Sequence, residues 1–318
     1  MVTNFQDNLN KCGSSKEPFL FLISYDLKEI YIEKLDNLSQ NIKFEITSKN
    51  KNNITDYTLK KYPISFDEYK RKFDLIQNEI KNGNSYLLNL TTKTKIDTNL
   101  TLDDIYESSN SLLKLRVKIN NLDFVCFSPE KFIDIKGNKI YTYPMKGTID
   151  TNLDDAKNLL LNSKKELAEH TMVVDLLRND LGKVANNIKV EEFRTFSKIS
   201  TKNNELFQTS SVISGDLENN WQEQIGDIFS NLLPAGSISG TPKKSTIELL
   251  KNIECYERGF YSGIFGVFDG INLQSFVLIR FIENIRDELF YKSGGGITSD
   301  SIAKQEYEEL LNKVYLPF

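Results

Sequence analysis

Histidine occurs once in the 318 residues, as His170, tryptophan occurs once, and cysteine occurs three times. A single imidazole excludes a metal centre built from several histidines, although Ser-His-Asp catalysis could still rest on it. Cys12, Cys126 and Cys255 are odd in number and far apart, and no CxxC pair exists. That excludes a disulfide framework and a cysteine-held structural zinc, and it fits a reducing, cytoplasmic location. Long apolar runs are also missing: PFLFLISY has the length of a buried strand, far short of the ~20 residues of a membrane span. The opening MVTNFQDNLNKCGSS has no apolar core, so it is not a secretory signal. Nor is there an excess of basic charge. Forty Lys and Arg stand against 44 Asp and Glu, a net charge of −4, which argues against a nucleic-acid partner.

What is present is enough to build a core. Hydrophobic residues make up 39% and charged residues 26%, the balance of a folded chain with one large or two ordinary domains. EPFLFLISYD and EIYIEKL read as a β-hairpin, followed by the strand IKFEIT. The Asn- and Lys-rich stretch NKNNITDYTLKKYP reads as a surface connection. From Phe66 to Lys81, apolar residues Phe66, Tyr69, Phe73, Ile76 and Ile80 recur at helical spacing, and Gly83 ends the helix. SYLLNLTT returns to strand character.

In the centre, KFIDIK and KIYTYP flank Gly137-Asn138, a two-residue turn that favours positive φ. Ser163 and Glu166 form a capping-box pair that opens a helix running to Leu181 and stopping at Gly182. Asp269-Gly270 marks another tight hairpin, and a last helix begins near Ser301. Hairpins outnumber strand-helix-strand units. The expected class is therefore α+β, mainly antiparallel sheets packed together and flanked by helices. Residues 1–65 are expected as a strand-rich segment packed on a catalytic domain of residues 66–318.

Several motifs admit more than one meaning. Gly236 to Ser245 (GSISGTPKKS) departs from a phosphate-binding P-loop, because the second glycine comes one place early and Pro242 breaks the match. It reads either as a loop entering a helix or as backbone amides able to hold a carboxylate. Gly294-Gly295-Gly296 marks a tight turn or a close approach to an anion. Arg280 in FVLIRFI has apolar neighbours on both sides, so it needs an internal acid or a ligand as partner. Glu166 and Glu169 share one helix face, as do Glu306, Glu309 and Lys313. On spacing alone these are helix-surface charges, with Glu309 and Lys313 an i,i+4 pair. Converging, such carboxylates would suit a hard ion such as Mg²⁺. Lys146, between Pro144 and Gly147-Thr148 at a strand end, is a candidate nucleophile if desolvation leaves its amine neutral.

Taken in order, GNSYLLNLT, SPEKF, PMKGT, ELAEHTMVVDLLRNDLGKV, PAGSISGTPK, ERGFYSGIFG and SGGGITSDS resemble the chorismate-utilising enzymes over residues 66–318. PMKGT resembles the PIKGT of the aminodeoxychorismate-forming branch, whereas the anthranilate-forming branch has alanine where Lys146 stands. The resemblance implies that Lys146 attacks C2 of chorismate while Glu130, of SPEKF, protonates the departing C4 hydroxyl as a general acid. Ammonia then attacks C4 and expels the lysine, giving the precursor of 4-aminobenzoate and folate. It further implies Mg²⁺ held by Glu169, Glu306 and Glu309, and the enolpyruvyl carboxylate held by Arg280 with Tyr261 nearby. Gly295 and Gly296 would meet a carboxylate through backbone amides, with Lys313 near the metal and Thr148 and Ser239 as polar contacts.

Departures from the family pattern carry expectations of their own. Where relatives have a histidine in the strand after the central helix this chain has Gln208, so a neutral amide is expected against the ring. Leu87 replaces the water-activating lysine of isochorismate and salicylate synthases, which disfavours hydroxylation. No cysteine has the surroundings of a glutaminase nucleophile, so a separate glutamine amidotransferase subunit is implied. The competing readings are an anthranilate-forming enzyme and a catalytically silent chorismate-binding relative.

Overall fold

The computed structural model describes residues 5–47, 56–200 and 205–318. Two antiparallel sheets form its centre. In the first, nine-stranded, the order is Met145–Asp150, Glu205–Asp216, Lys139–Thr142, Lys131–Lys136, Leu273–Val277, Ile264–Phe268, Phe19–Ile23, Ile30–Lys34. Asn186–Ser200 pairs with Glu205–Asp216 in a long hairpin at one edge. The second, eight-stranded sheet runs Gly240–Thr241, Leu87–Thr98, Glu288–Ile297, Phe281–Ile285, Leu122–Ser128, Leu113–Ile119, Ile42–Ile46, with Leu59–Tyr62 beside Leu87–Thr98. Among the described residues no helix is long and apolar enough to cross a membrane.

The run Phe19–Ile23 shows how the layers are held. All five of its residues are buried. Because successive strand side chains face opposite ways, Phe19, Phe21 and Ile23 join a core under the helices Lys164–Leu181 and Ile225–Leu232. Leu20 and Leu22 face the other way, into a core shared with Leu113, Leu115, Val117, Phe124 and Phe281 of the second sheet. The strand is thus buried on both faces, which explains its unbroken apolar sequence. On the far side of the second sheet, Leu88, Leu90 and Ile297 meet Tyr69, Phe73, Ile76, Leu250 and Leu310 from three helices. The arrangement is helices, sheet, sheet, helices.

The hairpins on either side of Gly137-Asn138 and between Phe19–Ile23 and Ile30–Lys34 form as expected, as do the helices Phe66–Lys81 and Lys164–Leu181. Ser163 accepts from the Glu166 amide at 3.3 Å, but Gly182 keeps a right-handed helical φ of −62°. The turn after Phe268 is looser than a two-residue hairpin: Asp269 Oδ1 accepts from the amides of Ile271 and Asn272, and the next strand starts at Leu273. Part of the Asn- and Lys-rich connection lies outside the described residues. Its end, Leu59–Tyr62, is a strand. The strands of residues 1–65 hydrogen-bond into both sheets.

FVLIRFI is not one strand. Leu273–Val277 belongs to the first sheet and Phe281–Ile285 to the second, and the chain passes between them at Arg280, with φ of +54°. SPEKF makes the same crossing: Leu122–Ser128 lies in the second sheet and Lys131–Lys136 in the first. The two crossings are tied together, since the Val277 amide donates to Glu130 O and the Phe127 amide to Arg280 O. Apolar composition marks burial, and it cannot show that the burying partner changes from one sheet to the other.

Candidate functional site

A cavity of about 220 Å³ opens where the two sheets exchange strands. Glu130 and Arg280 reach its wall from the two crossings, Lys146 from the strand Met145–Asp150, and Glu169 from the helix Lys164–Leu181. Gly294, Gly295 and Gly296 line it from the strand Glu288–Ile297, with Glu309 and Lys313 from the end of the last helix and Tyr261 from the loop before Ile264–Phe268. Residues more than 180 positions apart in sequence therefore share one space.

Glu130 is held by an oxygen donor: Ser237 Oγ donates to its Oε1 at 2.6 Å. Burial pushes the Glu130 carboxyl above its usual range, and the Ser237 hydrogen bond and the charges of Lys313 and Arg280 offset only part of that rise. A carboxyl shifted upward in this way is better suited to act as a general acid. Lys146 Nζ lies 2.9 Å from Glu169 Oε2. Burial works to lower its ammonium, but Glu169, Glu309 and Glu166 outweigh it and the net direction is upward. Desolvation, which alone would favour the neutral amine, is thus opposed by the neighbouring carboxylates.

The acids of the last helix converge on the glycine run. A Cβ at position 295 would stand 3.7 Å from Glu306 Oε2 and Lys313 Nζ and 3.8 Å from Glu309 Oε1. Lys313 Nζ donates to Glu309 Oε1 at 2.7 Å and to Gly294 O at 2.8 Å. Glu309 is held low, because Lys313 overcomes the effect of burial. Glu306 is pushed up, first by burial and further by Glu309. Among the described residues no three His, Cys, Asp or Glu side chains already stand as a metal cage. Arg280 forms no ion pair among the described residues. Its Nη1 donates to Lys313 O at 3.2 Å, its plane covers Tyr315 at 5.0 Å, and its buried Nε has no hydrogen-bond partner.

Three expected contacts lie elsewhere. Ser239 is fully buried and donates to Ala235 O within its own turn. Its neighbour by two, Ser237, takes the cavity position, because the short helix Gly236–Ser239 turns the two hydroxyls apart. Thr148 is exposed, and Gln208 is its cross-strand partner. Neither lines the cavity. Glu306 faces Gly295 without forming part of the wall. Sequence reasoning missed Ser237, although the GSISG segment had already been singled out. It also missed Lys292, whose ammonium is buried between Glu283 at 2.5 Å and Arg258 O at 2.9 Å; only the alternation of its strand could have placed it inward.

The sequence profile of the chorismate binding enzymes matches residues 7–317. An uncharacterized PabA-like protein of Haemophilus influenzae is 48% identical over 321 residues, 99% of this chain and 97% of that protein. Aminodeoxychorismate synthase component 1 of Bacillus subtilis is 32% identical over 266 residues, covering 80% of this chain but only 55% of its own length. The crystal structure of anthranilate synthase component I from Streptococcus pneumoniae superposes with a TM-score of 0.70 at 26% identity, over 80% of this chain and 58% of that one.

Proposed function

Since the chain belongs to the chorismate binding enzyme family, we propose that it aminates chorismate at C4 to give 4-amino-4-deoxychorismate. The observation that carries this reading is the meeting of Lys146 and Glu130 in one cavity, a primary amine beside Glu169 and a buried carboxyl held by Ser237. The Lys146 amine, once its ammonium proton has passed to Glu169 at 2.9 Å, forms a bond to C2. Glu130 gives its proton to the departing C4 hydroxyl, which leaves as water. Ammonia then bonds to C4, the C2–N bond to Lys146 breaks, and the lysine amine is regenerated. Arg280 pairs with a substrate carboxylate through its unused Nε edge, and Gly295 and Gly296, which line the cavity without side chains, leave room for a second.

Glu169, Glu306 and Glu309 would hold Mg²⁺. Carboxylate oxygens are the donors this ion takes, and Glu306, pushed up by burial and further by Glu309, would be stabilised as a carboxylate by a cation. The ion would supply neutralisation of the ring carboxylate. Ammonia would come from a glutamine amidotransferase subunit, since the one imidazole, His170, is engaged by Lys146 O and Ser211 Oγ and serves no cysteine nucleophile. Lys146 is also what weighs against anthranilate formation, because its amine fills the face from which C2 would itself be aminated. The deciding experiment is incubation with chorismate, Mg²⁺ and ammonium, followed by product identification. Aminodeoxychorismate supports the proposal, anthranilate replaces it, and absence of turnover favours a silent relative.

A further inference from the structure

Lys146 does not sit in a regular strand. Met145 pairs with Ser210 and Thr148 with Gln208, so Lys146 and Gly147 together oppose the single residue Thr209. This is a β-bulge, completed by Gly147 at φ +90°. An unbroken strand turns consecutive side chains to opposite faces; here the alternation is interrupted at Lys146, whose Nζ meets Glu169 at the cavity wall.

The bulge is held by its carbonyl. Thr209 Oγ1 donates to Lys146 O, and His170 Nδ1 lies 3.3 Å from the same oxygen. Both side chains are fully buried. The far side of the imidazole is occupied as well: His170 Nε2 is 2.7 Å from Ser211 Oγ, which accepts from the Arg194 amide at 3.0 Å. One assignment satisfies every group. Nδ1–H donates to Lys146 O, Ser211 O–H donates to Nε2, and Ser211 Oγ receives Arg194 N–H. Two side chains, from a neighbouring strand and a helix, thus converge on the carbonyl of one lysine, with Ser211 behind the imidazole, and none of the three touches the cavity. Folding the strand needs one ladder bond at this place, and the additional donors are explained if the direction of Lys146 matters.

We propose that Thr209, with His170 anchored on Ser211, is a positioning residue that clamps the Lys146 carbonyl in the bulge and so fixes the line of attack of Nζ. The proposal rests on the reading of Lys146 as the nucleophile. Thr209→Val removes the donor at nearly constant volume, whereas Thr209→Ser keeps it. Thr209→Val should lower kcat about tenfold or more with KM for chorismate within about twofold, because misdirection of a bound nucleophile costs rate and not affinity. Thr209→Ser should restore most of kcat. Ser211→Ala, which frees the far side of His170, should lower kcat in the same direction and guards against a Thr209→Val chain that fails to fold.

A second readout needs no turnover. Labelling with pyridoxal 5′-phosphate and borohydride, mapped by peptide mass spectrometry, gives the rate at Lys146 relative to exposed Lys165. Thr209→Val should change that ratio several-fold and Thr209→Ser should return it. Parent values of both kcat and labelling ratio in Thr209→Val overturn the clamp. So does equal impairment of the Val and Ser variants, which would mark a packing role. If the parent protein does not aminate chorismate, the functional reading fails, while the labelling ratio still decides the clamp.

Discussion

Arg280→Lys separates binding from stability at one position. The guanidinium donates to Lys313 O through Nη1 at 3.2 Å and covers the Tyr315 ring at 5.0 Å, while its Nε edge has no protein partner. No carboxylate among the described residues forms an ion pair with it, so the alternative of an internal acid is gone. Lysine keeps the charge but loses the planar fork that binds a carboxylate through two parallel hydrogen bonds. Losing one charge-assisted hydrogen bond is worth ~1.5–3 kcal/mol, which raises KM for chorismate about 10- to 150-fold. The structural contacts are weaker. One hydrogen bond from the guanidinium to a carbonyl, long at 3.2 Å, contributes ~1.5 kcal/mol, the low end for a charged donor, and the cation–π contact ~0.5–1 kcal/mol, part of which lysine retains. The φ of +54° is no worse for lysine than for arginine. Tm should therefore fall by only a few degrees. The assay is steady-state kinetics with ammonium alongside thermal unfolding. Tyr315→Leu is the control, since Tyr315 lies outside the cavity wall and its loss should lower Tm and spare KM. An unchanged KM in Arg280→Lys refutes the assignment of this residue to a substrate carboxylate.

Glu130→Gln should lower kcat by roughly 10²–10⁴, the usual worth of a general acid, measured by aminodeoxychorismate formation at saturating ammonium. Ser237→Ala removes a group that pulls the raised Glu130 carboxyl down. Glu130 must be protonated to act, so activity is lost as pH rises through its pKa, and in Ser237→Ala that falling limb should move to higher pH. A limb that stays in place would detach it from Glu130. Lys146→Ala should lower C4 amination by at least ~10²-fold and abolish any substrate adduct trapped on that peptide in mass spectrometry; parent-rate turnover would end the covalent role. Glu309→Gln, isosteric and uncharged, should shift the Mg²⁺ activation curve to higher concentration, and an unshifted curve would return Glu309 to an ordinary helix-surface pair with Lys313.

Local rules carried the elements far. Glycine at positive φ, an N-cap hydroxyl and apolar residues at helical spacing act over a few residues, so the Gly137-Asn138 hairpin and the helices Phe66–Lys81 and Lys164–Leu181 are legible in the sequence. The α+β class follows from the same hairpins, and the chemistry-bearing residues Glu130, Lys146, Glu169, Arg280 and Glu309 stand in motifs recognisable by their order along the chain. Periodicity is weaker where a segment is buried on every side or hardly at all. The short helix Phe5–Ser15 packs on Ile225–Leu232 through Asn10, which accepts from the Gly226 amide and donates to Asp227. No pattern within eleven residues announces that partner.

Which face a residue presents was decided only by tertiary structure. Ser237 and Ser239 are chemically the same, and the turn of one short helix gives the first to Glu130 and the second to Ala235. Thr148 and Gln208, cross-strand partners just past the bulge at Lys146 and Gly147, fall outside the cavity. The balance of effects on Lys146 has a similar origin: desolvation is a property of the site, but the opposing carboxylate of Glu169 arrives from a helix 23 positions away at 2.9 Å. Sequence specifies residue types and the local conformations that short-range sterics and hydrogen bonds select. Electrostatic environment and facing depend on groups distant along the chain, and only the packing of the two sheets and their helices brings those groups within range.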